Sequence, residues 1–184
     1  MKRGDLMKKF TSAMYGLCAC ACFAAMPAMA APAVSPGSTE AIIIRPLSFI
    51  NVDDLNFGRI VPSATAGTVV LAPTGTRTAN NGIVLVSNTH QPARFAGQGT
   101  ANQQVAISIS ASTILINGPG ASMVVRNFTI GSTPTAILGT TPQRFTIGSA
   151  TGIFAFPVGA TLDVGANQSP GVYTGTWDIT LNYL

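Results

Sequence analysis

From Tyr173 to Tyr183 the odd positions read Tyr173, Gly175, Trp177, Ile179, Leu181 and Tyr183, while Thr174, Thr176, Asp178, Thr180 and Asn182 between them are all polar. Period-two alternation of this length predicts a β-strand with one face in a core. Shorter runs of the same kind recur upstream. Residues 47–52 place Leu47, Phe49 and Asn51 on one face and Ser48, Ile50 and Val52 on the other, before Asp53 and Asp54 end the strand. Val105, Ile107 and Ile109 alternate cleanly, and residues 123–130 read as a longer strand. Phe154, Phe156 and Val158 share a face, as do Leu162 and Val164. Short strands are further expected at 55–61 (kinked at Gly58), 69–71, 83–86, 93–96, 114–116 and 145–147, with an irregular loop at 134–142. Asn80-Asn81-Gly82 and Asn117-Gly118-Pro119-Gly120 are tight-turn signals, because asparagine and glycine accept positive φ. Many short strands with Gly, Pro and Asn between them predict an all-β sandwich.

The start of the chain follows another pattern. Lys2, Arg3, Lys8 and Lys9 precede an apolar run over residues 10–25, and Ala28-Met29-Ala30 supplies small residues two apart. This is the form of a secretory signal peptide cleaved between Ala30 and Ala31. The apolar run is short for a membrane-spanning helix. Lipid attachment at Cys20 is the competing reading, but the apolar run continues past it to a better cleavage site. The expected layout is a signal at 1–30, an N-terminal extension at 31–44 and one β-domain at 45–184. The last strand of that domain would leave its far edge without a sequential hairpin partner. Edges of that kind template pairing with another chain.

Cleavage changes the chemistry of what remains. It removes four of the ten basic residues and one of the six acids, so the formal net charge falls from +4 to +1. No Lys/Arg cluster survives, and nucleic acid is not an expected partner. Cys18, Cys20 and Cys22 leave with the signal, so the domain is expected to fold without a disulfide. A weakly charged surface of Thr, Ser, Asn and Gly offers little repulsion against self-association.

Candidate catalytic chemistry is sparse. His90 is the only histidine and is expected on a surface loop, with neither a second histidine nor a mature cysteine to complete a metal set. Asn51, Asp53, Asp54 and Asn56 offer oxygens, but their spacing follows no calcium loop, and a strand-closing turn accounts for them. Glycines at 97–99 and 118–120 read as turns, since a phosphate cradle needs a helix to follow. The expectation is a non-enzymatic protein with no cofactor and no metal.

The tail also carries a resemblance. A penultimate aromatic (Tyr183), a glycine fourteenth from the C-terminus (Gly171) and alternating apolar residues between them resemble the C-terminal motif of chaperone–usher pilus subunits. The wider chain is similar to secreted bacterial domains of unknown function through three blocks in order. These are Pro46-Leu47-Ser48-Phe49 with Asp54-Leu55-Asn56-Phe57-Gly58, then residues 156–164, then residues 171–176. The resemblance implies an immunoglobulin-like β-sandwich, incomplete and completed by a donated strand. It implies export through the inner membrane to the periplasm, with a periplasmic chaperone and an outer-membrane usher as partners. The final place would be a cell-surface fimbria, a homo- or hetero-polymer with other pilus subunits. Gly171, Tyr173, Gly175, Trp177, Ile179, Leu181 and Tyr183 would form the assembly groove, with Tyr183 at its open end. Gly37, Thr39, Ala41 and Ile43 would be one register of a donor strand. Ile42, Ile43 and Ile44 run on continuously, which leaves open both donation to a neighbour and folding back. The rival reading is a secreted, self-contained β-sandwich that binds glycans or calcium.

Overall fold

A computed structural model of the chain describes residues 38–86, 88–131 and 135–184; the segment expected to be a signal, the expected cleavage junction of Ala30 and Ala31, and Gly37 lie outside them. The described residues contain no helix. Their strands are β1 (Ser48–Asp53), β2 (Arg59–Val61), β3 (Gly67–Leu71), β4 (Arg77–Ala79), β5 (Val84–Val86), β6 (Ala93–Gln98) and β7 (Gln104–Ile109). After these come β8 (Thr113–Ile116), β9 (Met123–Ile130), β10 (Ala136–Ile137), β11 (Gln143–Thr146), β12 (Ile153–Val164) and β13 (Ile179–Tyr183).

The larger sheet is built around β12. Val158 pairs with Ala93 of β6 on one side and Ile130 of β9 on the other, and Leu162 pairs with Val69 of β3 and Val125 of β9. One edge of β12 is therefore shared by β6 and then β3, while β9 takes the opposite edge. β1 adds to β6, β4 to β3, and β8 and β10 to β9. A second sheet runs β11-β7-β13, and β2 pairs with β5 in a separate ribbon. The order β1-β6-β12-β9 against β7-β13 corresponds to strands A-B-E-D and C-F of an immunoglobulin-like sandwich, with β13 in the F position. No described strand occupies the G position beyond it.

Side chains of both sheets meet in one core. Val69, Leu71, Phe95, Val125, Phe128, Val158 and Leu162 come from the larger sheet, and Val105, Ile107, Ile109 and Leu181 from the smaller. Each fully buried side chain of this kind contributes about 1.5–3 kcal/mol. One or two of them equal the roughly 2–4 kcal/mol typical of a disulfide, and residues 38–184 contain no cysteine.

Three features depart from the simple alternation. Residues 154–158 and 162–164 belong to one strand, which runs straight through Pro157. The proline carbonyl accepts the Gly131 N–H (2.9 Å), so its nitrogen side also faces the end of β9, where the ladder stops and no donor is required. In β9 Met123 and Val125 are buried at odd positions, then Phe128 and Ile130 at even ones. Asn127, with φ of 52°, is the extra residue of a bulge that resets the phase, and the pairing with β12 shifts at the same place. The expected loop at 134–142 contains β10, anchored where the Leu138 N–H donates to the Phe128 carbonyl (2.7 Å). The turn at 80–82 is as expected: Asn81 and Gly82 have φ of 51° and 76°.

Candidate assembly edge

The C-terminal tail has two halves with different partners, and this corrects the expectation of one strand over 173–183. Only Ile179–Tyr183 is strand. Upstream, Thr174 forms a single antiparallel bridge with Asn117, just beyond β8. Two glycines permit that approach. Gly171 has φ of 151°, and a Cβ there would run into the Pro119 ring; a Cβ on Gly175 would meet the Leu115 carbonyl and Ile116. The Tyr173 hydroxyl fastens this half, donating to the Ser169 carbonyl (2.9 Å) and accepting from Gln168 Nε2 (2.8 Å) and the Gly120 N–H (3.2 Å). Trp177 then carries the tail across to the second sheet. Its ring lies 4.8 Å from Phe128 and edge-on to Phe95 at 5.7 Å, so it bridges β6 and β9 at half-burial.

β13 itself pairs with β7 alone: Ile179 opposite Ile109, Leu181 opposite Ile107 and Tyr183 opposite Val105. The Ser110 N–H donates to the Asp178 carbonyl (3.1 Å) and the Leu184 N–H to the Gln104 carbonyl (3.1 Å). In an antiparallel ladder such hydrogen-bonded pairs recur every second residue. The even residues therefore spend their backbone groups on β7. The N–H and C=O groups of Ile179, Leu181 and Tyr183 point outward, to an edge that no described strand occupies. Their side chains point inward: Leu181 is buried and Ile179 and Tyr183 half-buried, while Thr180 and Asn182 are exposed. Inward apolar side chains and outward free backbone groups thus belong to the same three residues.

Tyr183 differs from its expected role at an open strand end. Its hydroxyl donates to the Arg45 carbonyl (2.7 Å) and accepts the Thr100 N–H (2.7 Å), so it is tied within its own chain. Arg45 and Thr100 gave no sequence signal beyond the Arg45-Pro46 break that ends the isoleucine run.

Ahead of Arg45, residues 38–44 form no strand and are exposed, including the candidate donor positions Thr39, Ala41 and Ile43. Ile42 is 77% and Ile43 95% exposed, an unusual setting for large aliphatic side chains. His90 lies outside the strands, as expected, but is less exposed than a free loop residue. It is half-buried, its Nε2 lies 3.1 Å from the Gly75 carbonyl, and its Nδ1 has no partner among the described residues. The acidic cluster is engaged with its own neighbours: Asn51 Nδ2 donates to Asp54 Oδ1 (2.5 Å) and the Gly58 N–H to Asn56 Oδ1 (2.7 Å). The bidentate pair of Arg126 with Asp163 (2.7 and 2.9 Å), whose hydrogen bond holds the guanidinium above its ordinary pKa, lies on the larger sheet and not at the edge.

At the upstream end of the tail a cleft of about 650 Å³ opens between residues 55–62 and 168–173, with Ile116, Met123, Leu162 and Val164 among its lining residues. Fold and edge together define an all-β sandwich whose C-terminal strand is laddered on one side. Residues 47–183 match the family described as "Domain of unknown function (DUF4402)", and the chain belongs to that family. No curated protein and no solved structure matches the chain.

Proposed function

We propose that this protein is a structural, non-enzymatic subunit of a cell-surface fimbria, joined to other subunits by donor-strand complementation. The observation that carries the reading is β13, whose outward backbone groups meet no described strand while its side chains cap the core. A strand added there would take the G position, which no described strand occupies, and cover the partly exposed core at Ile179 and Tyr183. The exposed isoleucines at 42–44 are the matching apolar material, and residues 38–44 form no strand. Export would deliver the chain to the periplasm, where a chaperone covers the edge until an outer-membrane usher joins subunits.

Two measurements test this. N-terminal sequencing of the exported protein should begin Ala31-Pro32; a lipid-modified Cys20 contradicts the export route. The purified protein should give ladders that persist in detergent and collapse on boiling. A single monomeric species under all conditions favours the second reading, a self-contained glycan- or calcium-binding module that would use the cleft beside Tyr173.

A further inference from the structure

Arg45 is where the exposed isoleucine run meets the sandwich, and several polar contacts converge on it. Its backbone N–H donates to Thr100 Oγ1 (2.6 Å) and its guanidinium to the Thr151 carbonyl (3.0 Å). Its carbonyl accepts the Tyr183 hydroxyl (2.7 Å), which itself accepts the Thr100 N–H (2.7 Å). Pro46 follows and fixes φ at the next residue. Ile43, with Arg45, borders a shallow recess made by Thr100, Ala101, Ala150 and Thr151. Those residues belong to the connections leading into β7 and β12 at the end of the sandwich. The run therefore leaves the sandwich beside its end loops and forms no ladder with β13.

The same geometry limits what the run could do to its own edge. Arg45 sits against Tyr183, the last residue of β13. A segment ending at Arg45 and laid back along β13 would have to run parallel to it. Parallel pairing is slightly weaker per residue, and the segment would first have to give up the contacts that hold Arg45. An arm from another molecule has no such tether and is free to enter in the antiparallel sense.

We infer that Arg45, Thr100, Thr151 and Tyr183 form a positioning clamp that holds the exposed run Ile42–Ile44 off its own β13, so that this run serves a second copy of this chain. The inference rests on the reading of β13 as a strand acceptor. Tyr183 then has two tasks in one subunit, closing the acceptor edge with its ring and holding the root of the donor arm with its hydroxyl.

Tyr183→Phe separates the tasks, because it keeps the ring and deletes the hydroxyl. In the exported chain, amide exchange at Thr100 should accelerate by about tenfold or more, with Thr180 and Asn182 unchanged. Unchanged exchange at Thr100 overturns the clamp. Direction is read from Ile43→Cys with Asn182→Cys in one chain, oxidised at high dilution. Absence of an intrachain disulfide supports the outward course, and its formation overturns it. Whether separate chains join is read independently from the detergent ladders, so failure of the assembly reading and failure of the clamp give different results.

Discussion

β12 and β13 are both apolar, both antiparallel and both part of one core, yet their surroundings differ. β12 has partners along both edges, and residues 158–162 are all buried. β13 has a ladder on one side, and its burial alternates. Ile179 is as apolar as Leu162, but it is half-buried where Leu162 is 2% exposed. Burial here follows the number of covered sides and not the hydrophobicity of the residue. A strand with apolar side chains and one bare edge is unfinished in a way that β12 is not, and the proposed function follows from that contrast.

The contrast should show first in stability. Leu162→Ala removes packing from a strand closed on both sides and should cost about 2–5 kcal/mol, a large share of a small domain's stability; urea denaturation measures it. Gly159 marks the hand-over from β6 to β3, and a Cβ there would strike the Leu71 carbonyl, so Gly159→Ala should destabilise through backbone displacement and not through lost burial. Trp177→Ala should cost less, about 2–3 kcal/mol, because the ring is half-buried and the site is able to relax toward solvent. Its distinctive sign would be faster proteolysis within residues 171–184. Tyr183→Ala should cost about 1–2 kcal/mol in the monomer through two lost hydrogen bonds, and should reduce multimer formation further. Thr180→Ala and Asn182→Ala, on the exposed face, should stay within about 0.5 kcal/mol and leave multimers intact. Equal behaviour of Thr180→Ala and Tyr183→Ala would erase the distinction between the two faces of β13.

Much of the sandwich was legible in the pattern. Val105, Ile107 and Ile109 alternate in the sequence and are buried in β7, and the turn at Asn81 and Gly82 has the positive φ values its composition implies. What the pattern missed came from long-range events. Asn127 resets the phase of β9, and no local signal marks it as a bulge. Pro157 sits inside the run whose alternate residues share a face, and what accommodates it is the end of β9 beside it. In the tail the alternation over 173–183 correctly assigns the inward face, since Tyr173 and Trp177 are also half-buried, but it overstates the strand. Gly171 and Gly175 fit the tail against β8 and its turn, a contact that periodicity does not encode. The hydrogen bond between Arg45 and Tyr183 joins residues 138 positions apart and was out of reach for the same reason.

The most direct test is residue-resolved amide hydrogen exchange along β13, comparing monomer with assembled protein. In the monomer the amides of Thr180, Asn182 and Leu184 should be protected by β7, while those of Ile179, Leu181 and Tyr183 exchange freely. On assembly the three odd amides should gain protection as an incoming strand takes their outward N–H groups. Multimers in which Ile179, Leu181 and Tyr183 still exchange as in the monomer would contradict donation at this edge.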